Sequence, residues 1–286
     1  MAQKIKALIK RALFLLPPVR VHYRHIEQLR INLEDNISEI NKTRAYAKLL
    51  ENQLETIVED KKECPLCNNT FWKYLPGGEI VRQNALCPYC ESLERFRAWH
   101  MYYGEEGLYQ TAPSRTLLHF APEKGIYDSF TRLSNLDYYP VDYNPDFQGI
   151  RDTIDIQNIK YADNMFDVII CNNVLEHIPN DRAAIKELRR VLKKDGVAYI
   201  TVPFLFSCDT TLENPEYNTP ELRVRYYGSY DHLRQYGSDF ASVLRDEGFV
   251  VCEVKPNGRY TPEELKKYGI LEDEIVFKCT VGGNLP

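Results

Sequence analysis

Four cysteines in two pairs are the residues of this sequence most clearly suited to a defined chemistry. Cys64 and Cys67 form one C-x-x-C pair, and Cys87 and Cys90 form a second pair 19 residues later. Each pair can bind one face of a tetrahedral ion, and the PGGE stretch between them predicts a hairpin turn. We therefore predict a structural zinc ribbon over residues 61–100, because four sulfur ligands leave no coordination position for a substrate. The alternative is thiol redox chemistry, although the pairs lack a thioredoxin-like βαβ context.

From about Thr116 onward, short apolar runs alternate with amphipathic helices. The runs TLLHF, DYYPV, DVIIC and VAYITV are suited to buried parallel strands. A helix, DRAAIKELRRVLKKDG, lies between the last two runs, with Asp181 as its predicted N-cap and Gly196 as its stop. The stretches DFASVLRDEGFVVCEV and EIVFKCTV add a further helix and two strands. This order predicts a doubly wound, Rossmann-like α/β sheet, which binds ligands at the carboxyl ends of its strands.

The centre of this region has a specific resemblance. DIQNIKYADNMFDVIICNNVLEHIPN, followed by AIKELRRVLKKDGVAYITVP, resembles the class I S-adenosylmethionine-dependent methyltransferases that carry an FDVV…LEH…RVLKPGG signature. The resemblance extends from about Leu117 to Val254. It implies a methyltransferase domain over residues 101–286 and S-adenosylmethionine as the cofactor.

The resemblance also implies which residues bind that cofactor. Asp142 matches the acid that holds the ribose hydroxyls, and a carboxylate can accept from both of them. Asp155 matches the carboxylate near the adenine amino group, Ile156 the apolar residue beside the ring, and Asn172 a residue near the methionine portion. The alternative for both aspartates is ordinary loop capping.

The loop in LLHFAPEKG departs from the family pattern D-x-G-x-G-x-G. His119 replaces the acid, Ala121 the first glycine and Glu123 the second, while Gly125 keeps the last glycine. The methyl donor has no pyrophosphate, so this loop needs small residues near the ligand rather than a nest of phosphate-binding amides. We expect a working variant in which Glu123 meets the donor's ammonium group. The loop residues expected to bind the cofactor are Phe120, Ala121, Pro122, Glu123 and Gly125.

Two places could hold a base for a hydroxyl acceptor, since methyl transfer depends mainly on positioning but benefits from proton removal. His177 in LEHIP is one candidate, and its alternative is a structural histidine that caps the next helix. Asp231 and His232 are the second, within an insertion near 204–237 that is too long and aromatic for a simple connection. That insertion predicts a substrate lid, or else a packed lid without substrate contact. Its side chains suited to sugars and phosphates are Arg223, Arg225, Tyr226, Tyr227, Tyr230 and Arg234.

The first sixty residues divide into two predicted segments. Residues 1–25 form a basic amphipathic helix stopped by Pro17 and Pro18, suited either to a peripheral membrane contact or to packing on protein. Residues 26–60 follow a heptad pattern that predicts a coiled coil and a homo-oligomer, the alternative being a lone helix on the domain. The seam positions are Ile26, Leu29, Leu33, Asn36, Ile40, Thr43, Ala47, Leu50, Leu54 and Ile57.

Composition bounds the remaining possibilities. The formal net charge of -5 disfavours a dedicated nucleic-acid binder. No apolar run approaches the roughly 20 residues that span a bilayer, and the start lacks a signal-peptide cleavage site. We therefore expect a cytoplasmic protein, with a possible peripheral position at the inner face of the cell membrane.

The arrangement of helix, coiled coil, cysteine pairs and methyltransferase core is similar to bacterial methyltransferases associated with cell-surface glycans. That similarity implies O-methylation of a saccharide or a lipid-linked glycan, in polysaccharide biosynthesis. One alternative is an RNA methyltransferase with a zinc module, although residues 61–100 contain only six lysines and arginines against four glutamates. Another is a non-catalytic scaffold that binds the cofactor.

Overall fold

A computed structural model describes residues 17–55, 61–78, 81–110, 113–146, 149–204 and 208–282. The chain divides into two compact units, Met1–Glu59 and Asp60–Pro286. Most of the predicted basic helix, before residue 17, lies outside the described residues. Within the described part of the chain, no helix is long and apolar enough to cross a membrane.

The first unit contains one helix, α1 (Pro17–Glu55). Two prolines begin this helix. They are tolerated there because amide hydrogens in the first turn of a helix have no intrahelical hydrogen-bond acceptor. The helix runs without a break across residue 25, where the sequence suggested a change of segment. Its apolar seam side chains are exposed, from 61% for Ile26 to 41% for Leu50.

The second unit begins with the cysteine-containing region, which is built from two short antiparallel strand pairs. The strands are β1 (Lys62–Glu63), β2 (Thr70–Phe71), β3 (Leu75–Gly77) and β4 (Arg82–Leu86). β1 pairs with β2 and β3 pairs with β4, so the hairpin predicted around PGGE is present. Helix α2 (Glu94–Glu105) follows and crosses residue 100, where the sequence placed the end of the ribbon.

A seven-stranded sheet forms the centre of this unit. In chain order its strands are β5 (Arg115–Phe120), β6 (Leu136–Asp142), β7 (Asp152–Thr153), β8 (Phe166–Asn172), β9 (Leu192–Thr201), β10 (Val250–Val254) and β11 (Val276–Thr280). Their order across the sheet is β10-β11-β9-β8-β5-β6-β7. The first five strands in chain order are parallel, and β11 runs antiparallel to both of its neighbours. The order reverses beside β5, and open sheets of this kind bind ligands at that switch point.

Helices cover both faces of the sheet. Besides α2, the described helices of this unit are α3 (Lys124–Thr131), a 3-10 helix (Leu175–His177), α4 (Asp181–Val191), α5 (Pro220–Tyr227), α6 (Phe240–Asp246) and α7 (Pro262–Tyr268). Leu188 of α4 and Phe240 of α6 are buried in one core cluster. Trp99 of α2 and Phe130 of α3 are buried in the other. The strands alternate between these clusters, since Leu117 belongs to one and Leu118 to the other.

The predicted ends of α4 need correction. Its N-cap is Asn180 rather than Asp181, because the Asn180 side chain accepts from the amide of Ala183. The helix ends at Val191, and Gly196 lies inside β9 rather than stopping the helix. A Cβ on Gly196 would lie 3.0 Å from the carbonyl oxygens of two residues in the neighbouring β8, so close strand packing explains this glycine.

Candidate functional site

The four cysteines converge, as their spacing predicts. The Sγ atoms of Cys64 and Cys90 lie 3.6 Å apart, and those of Cys67 and Cys87 lie 3.8 Å apart. All four sulfurs are within 4.8 Å of one another. A tetrahedral zinc ion with bonds of about 2.3 Å holds its sulfur ligands roughly 3.8 Å apart. The residues therefore fit a structural zinc ion.

This ribbon is joined to the rest of the second unit by buried polar contacts. The Tyr74 hydroxyl lies 2.8 Å from the carbonyl oxygen of Glu63 within the ribbon and 2.8 Å from that of Tyr268 in α7, and its single proton is shared between these two acceptors. Arg97 is fully buried and donates to the carbonyls of Ala85, Tyr268 and Gly269 at 2.6–3.0 Å. The ribbon and the α/β domain are thus one packed body.

The loop after β5 has the left-handed backbone conformation that a glycine would usually provide, although its sequence contains few glycines. Ala121 has a φ of +45°, a left-handed conformation that usually calls for glycine, and its amide donates to the carbonyl of Val141. His119 is fully buried, with Nε2 3.2 Å from a carboxylate oxygen of Glu123 and Nδ1 2.9 Å from the Tyr138 hydroxyl. The histidine that replaces the family's acid therefore holds another carboxylate four residues later. Phe120 and Pro122 are buried beside them.

The structure explains why residue 125 is a glycine, which the sequence alone did not. A Cβ at this position would lie 2.4 Å from Cδ2 of Leu66, which belongs to the first cysteine knuckle. The absence of a side chain at Gly125 therefore allows Leu66 of the ribbon to pack against the start of α3.

Two of the predicted cofactor carboxylates cap their own loops. Asp142 ends β6 and accepts from the Asn144 amide at 2.7 Å, and exposed Asp155 accepts from the Gln157 amide at 2.9 Å. Ile156, next to Asp155, is 3% exposed. These bonds orient the two carboxylates at the edge where β6 ends, and ionised carboxylates can accept further hydrogen bonds.

Asn172 ends β8 and is 2% exposed. Its Oδ1 accepts from the hydroxyls of Tyr103 and Thr201, both at 3.2 Å. Its Nδ2 has no hydrogen-bond partner among the described residues. A buried donor without a partner is costly, so this amide group is suited to a ligand with an acceptor oxygen.

The three candidate catalytic residues come together although 54 positions of sequence separate His177 from Asp231. His177 Nδ1 lies 3.3 Å from Asp231 Oδ2, and the rings of His177 and His232 pack edge to face with centroids 4.8 Å apart. His232 Nδ1 lies 2.8 Å from the carbonyl of Tyr227. The amide of Leu233 donates to the carbonyl of Glu176, which fixes this segment against the LEHIP turn.

Sequence reasoning missed Glu176, which lies directly beside His177. Its side chain is 1% exposed, and burial raises the pKa of its carboxyl to about 8. Neither carboxylate oxygen has a hydrogen-bond partner among the residues that the structure describes. The only sequence signal was an acid next to a histidine in an otherwise apolar turn. We call Glu176, His177, Asp231 and His232 the His cluster.

The predicted lid separates into structural and exposed side chains. Arg234 is 2% exposed and donates to the carbonyls of the LEHIP turn, so it anchors the segment rather than awaiting a substrate. Tyr227 is buried, and Tyr226 stacks on Tyr217 with centroids 3.9 Å apart. Tyr230 is 59% exposed.

A cavity of about 540 Å³ opens beside the ends of β8 and β9. Arg95, from the start of α2, lines it and interacts electrostatically with Glu176. Burial raises the pKa of Glu274, also in the lining, to about 7. We call it the Arg95 cavity, and the lining residues used below are Arg82, Glu94, Arg95, Asn173, Phe204 and Glu274.

Comparison with known proteins gives a match to one family model and several partial likenesses. Residues 131–200 match the model described as a methyltransferase domain. An uncharacterized protein of Methanocaldococcus jannaschii is 43% identical over 47 residues, which are 16% of this chain and only 20% of that protein.

Two solved structures illustrate the likeness of the folds. The YcgJ protein from Bacillus subtilis is 14% identical with a TM-score of 0.42, and the alignment covers 64% of this chain and 100% of that one. Haemonchus contortus phosphoethanolamine N-methyltransferase 2, in complex with phosphomonomethylethanolamine and S-adenosylhomocysteine, is 11% identical with a TM-score of 0.44, covering 65% and 54%.

The family-model match, the strand order and the FDVI…LEH…RVLKKDG segment agree with one another. Residues 131–200 of this chain therefore match a methyltransferase domain, and they lie within a doubly wound sheet.

Proposed function

We propose that this methyltransferase transfers a methyl group to a hydroxyl of a saccharide or a lipid-linked glycan. The observation that carries the proposal is the His cluster, which lies in the turn after β8 and in the lid segment packed on it. A hydroxyl becomes a good nucleophile only as its proton leaves, so two imidazoles beside a carboxylate suit an oxygen acceptor.

The donor site would be formed by residues at the ends of β5, β6 and β8. Glu123 would meet the donor's ammonium group, and Asp142 and Asp155 would accept from the ribose hydroxyls and the adenine amino group. The buried Nδ2 of Asn172, which lacks a partner within the described residues, fits the donor's carboxylate. When bound, the donor supplies a methyl carbon activated by its positive sulfur.

The reaction is one displacement. The acceptor oxygen forms a bond to the methyl carbon, the carbon–sulfur bond breaks, and its electron pair stays on sulfur. The hydroxyl proton leaves the oxygen, and the His cluster provides the groups that remove it or neutralise the developing charge. His177 is oriented for this role by its contact with Asp231.

The Arg95 cavity supports a polar acceptor. Arg82 pairs with Glu94 through two bonds of 2.8 and 3.0 Å, Arg95 lies next to them, and Phe204 adds one aromatic face. Charged groups with a single aromatic face suit the hydroxyls and apolar face of a sugar. The same contacts weigh against RNA, because two of the three arginines in residues 61–100 are engaged within the protein: Arg82 pairs with Glu94, and buried Arg97 donates to carbonyls.

We also infer that α1 associates with the same helix of a second chain. Eight of its ten heptad seam positions are apolar, and those whose side chains the structure describes are exposed in the single chain, so pairing would remove them from water. The basic segment before it would add a peripheral contact with anionic lipid.

The proposal is tested by incubating the purified protein and a methyl-labelled donor with saccharide, lipid-linked glycan and RNA fractions of the same cells. Label should enter a saccharide-containing fraction. The Asp142→Ala protein is the matched control, because it should leave each fraction close to background. Label confined to RNA would replace the glycan assignment with the RNA alternative.

A further inference from the structure

We propose that Glu176, His177 and His232 bind a divalent first-row transition-metal cation. The three residues offer ligand atoms that all lie within 4.8 Å of one another. Two imidazoles with one carboxylate are a ligand set of catalytic metal sites, and three protein ligands leave positions open for other oxygens. This centre differs from the ribbon, where four thiolates would complete the coordination.

Both imidazoles are held in the tautomer that a metal requires. The Tyr227 carbonyl can only accept, so Nδ1 of His232 carries the proton in that 2.8 Å bond and Nε2 keeps its lone pair. Nδ1 of His177 lies 3.3 Å from Asp231 Oδ2, which places that carboxylate at Nδ1 and leaves Nε2 3.9 Å from Glu176 Oε1. Hydrogen bonds from the second ring nitrogen to a carbonyl or carboxylate are the usual support of metal-binding histidines.

Glu176 is the independent observation that points to a ligand. A carboxylate that is 1% exposed and has no hydrogen-bond partner among the described residues carries a large desolvation cost. A carboxyl buried in this way is kept in proteins when it is protonated, when it pairs with a charge or when it coordinates a metal. A cation between Glu176 and the two imidazoles would supply that partner.

The surrounding charges and distances permit binding. Asp231 adds a second negative charge beside His177, while Arg95 and Arg234 are the arginines that act on Glu176. Arg234 is paired with Glu213 at 2.9 Å, which offsets its charge. Ligands of one ion stand roughly 3–3.5 Å apart at bonds of about 2.1 Å, so the side chains would close by about 1 Å.

The role of this cation, though not its binding, rests on the proposed function. A cation on the His cluster would stabilise the negative charge that develops on an acceptor oxygen as its proton leaves. With the cation bound, the two histidines would act as ligands, and the acceptor proton would pass to solvent water; without the cation they remain the proton acceptors.

The test uses the full chain and Mn²⁺, which binds carboxylate and imidazole groups and competes poorly for thiolates. Weakly held cations are first removed with EDTA, and zinc content is measured to show that the ribbon stays loaded. Free Mn²⁺ is then followed by electron paramagnetic resonance during a titration. The wild type should bind one Mn²⁺ per chain, and Glu176→Gln should weaken this binding by about 10-fold or more.

Two further variants keep the test decisive. Asp231→Asn changes a half-exposed residue and should weaken Mn²⁺ binding by about 10–100-fold even if Glu176→Gln fails to fold. His25→Gln, on exposed α1, is the matched control and should bind as the wild type does. Absence of Mn²⁺ binding by the wild type, or equal binding by folded Glu176→Gln and Asp231→Asn proteins, would overturn the site. Neither result depends on which acceptor is methylated.

Discussion

Replacing Arg234 with lysine should strongly destabilise the protein, because its guanidinium holds the segment with Asp231 and His232 against the LEHIP turn. Arg234 donates to the carbonyls of Leu175, Ile178 and Pro179 at 2.6–3.1 Å. A lysine keeps the charge but has one nitrogen, which can reach at most one of these three carbonyls. Buried hydrogen bonds from a charged donor contribute about 1.5–3 kcal/mol each, so two lost bonds should lower the unfolding free energy by about 3–6 kcal/mol.

The contact between Arg234 and Glu213 adds little to this figure, because the Glu213 side chain is 54% exposed. Urea denaturation followed by circular dichroism measures the change. Arg225→Lys is the matched control, since exposed Arg225 lies in the same lid and its replacement should cost less than about 0.5 kcal/mol. A loss below about 1 kcal/mol for Arg234→Lys would refute the anchoring role and return Arg234 to the substrate-binding candidates.

Three further changes test the other parts of the molecule. Cys87→Ser should abolish the zinc content of about one ion per chain and lower thermal stability, because structural zinc contributes folding energy; full zinc content by mass spectrometry would exclude the four-cysteine site. Asp142→Ala should weaken donor binding by about 1–3 kcal/mol through loss of a carboxylate acceptor, and unchanged calorimetric affinity would move the ribose contact elsewhere. Deletion of residues 1–60 should lower the number of chains per particle, obtained by light scattering as particle mass divided by chain mass, without changing donor affinity; an unchanged number of chains would contradict the coiled coil.

The sheet and the cysteine site could be predicted because their signals are local. Buried strands appear as short apolar runs, and the spacing of the two cysteine pairs indicates that they form one tetrahedral ligand set. The N-cap of α4 was wrong by one residue because Asn180 and Asp181 both carry capping oxygens. The prediction that Gly196 ends α4 was wrong because a glycine is suited both to a helix end and to a place where two strands pack closely. Only the observed pairing of β9 with β8 distinguishes the two roles.

The His cluster could not be assembled from the sequence. His177 and the pair Asp231–His232 were alternative candidates because each was judged by its own neighbours along the chain. Their meeting depends on two distant contacts, the bond from the Leu233 amide to Glu176 and the bonds of Arg234 to the turn. The burial of Glu176 is likewise a tertiary property, since nothing in LEH states that its carboxylate lies inside the protein.

The ribbon contributes to the wall of the Arg95 cavity, and under the proposed function this position would give it a part in acceptor binding. Arg82 of β4 and Glu94 of α2 form a bidentate ion pair in the wall of the Arg95 cavity, and Arg97 joins α2 to the ribbon and to Gly269. A zinc ion on the four cysteines would hold the two knuckles, which flank β4 and precede α2, so its folding energy would also fix this wall. Because Arg95 lines this cavity and also acts electrostatically on Glu176, the proposed acceptor site would include the ribbon as one of its walls rather than as a separate binding module.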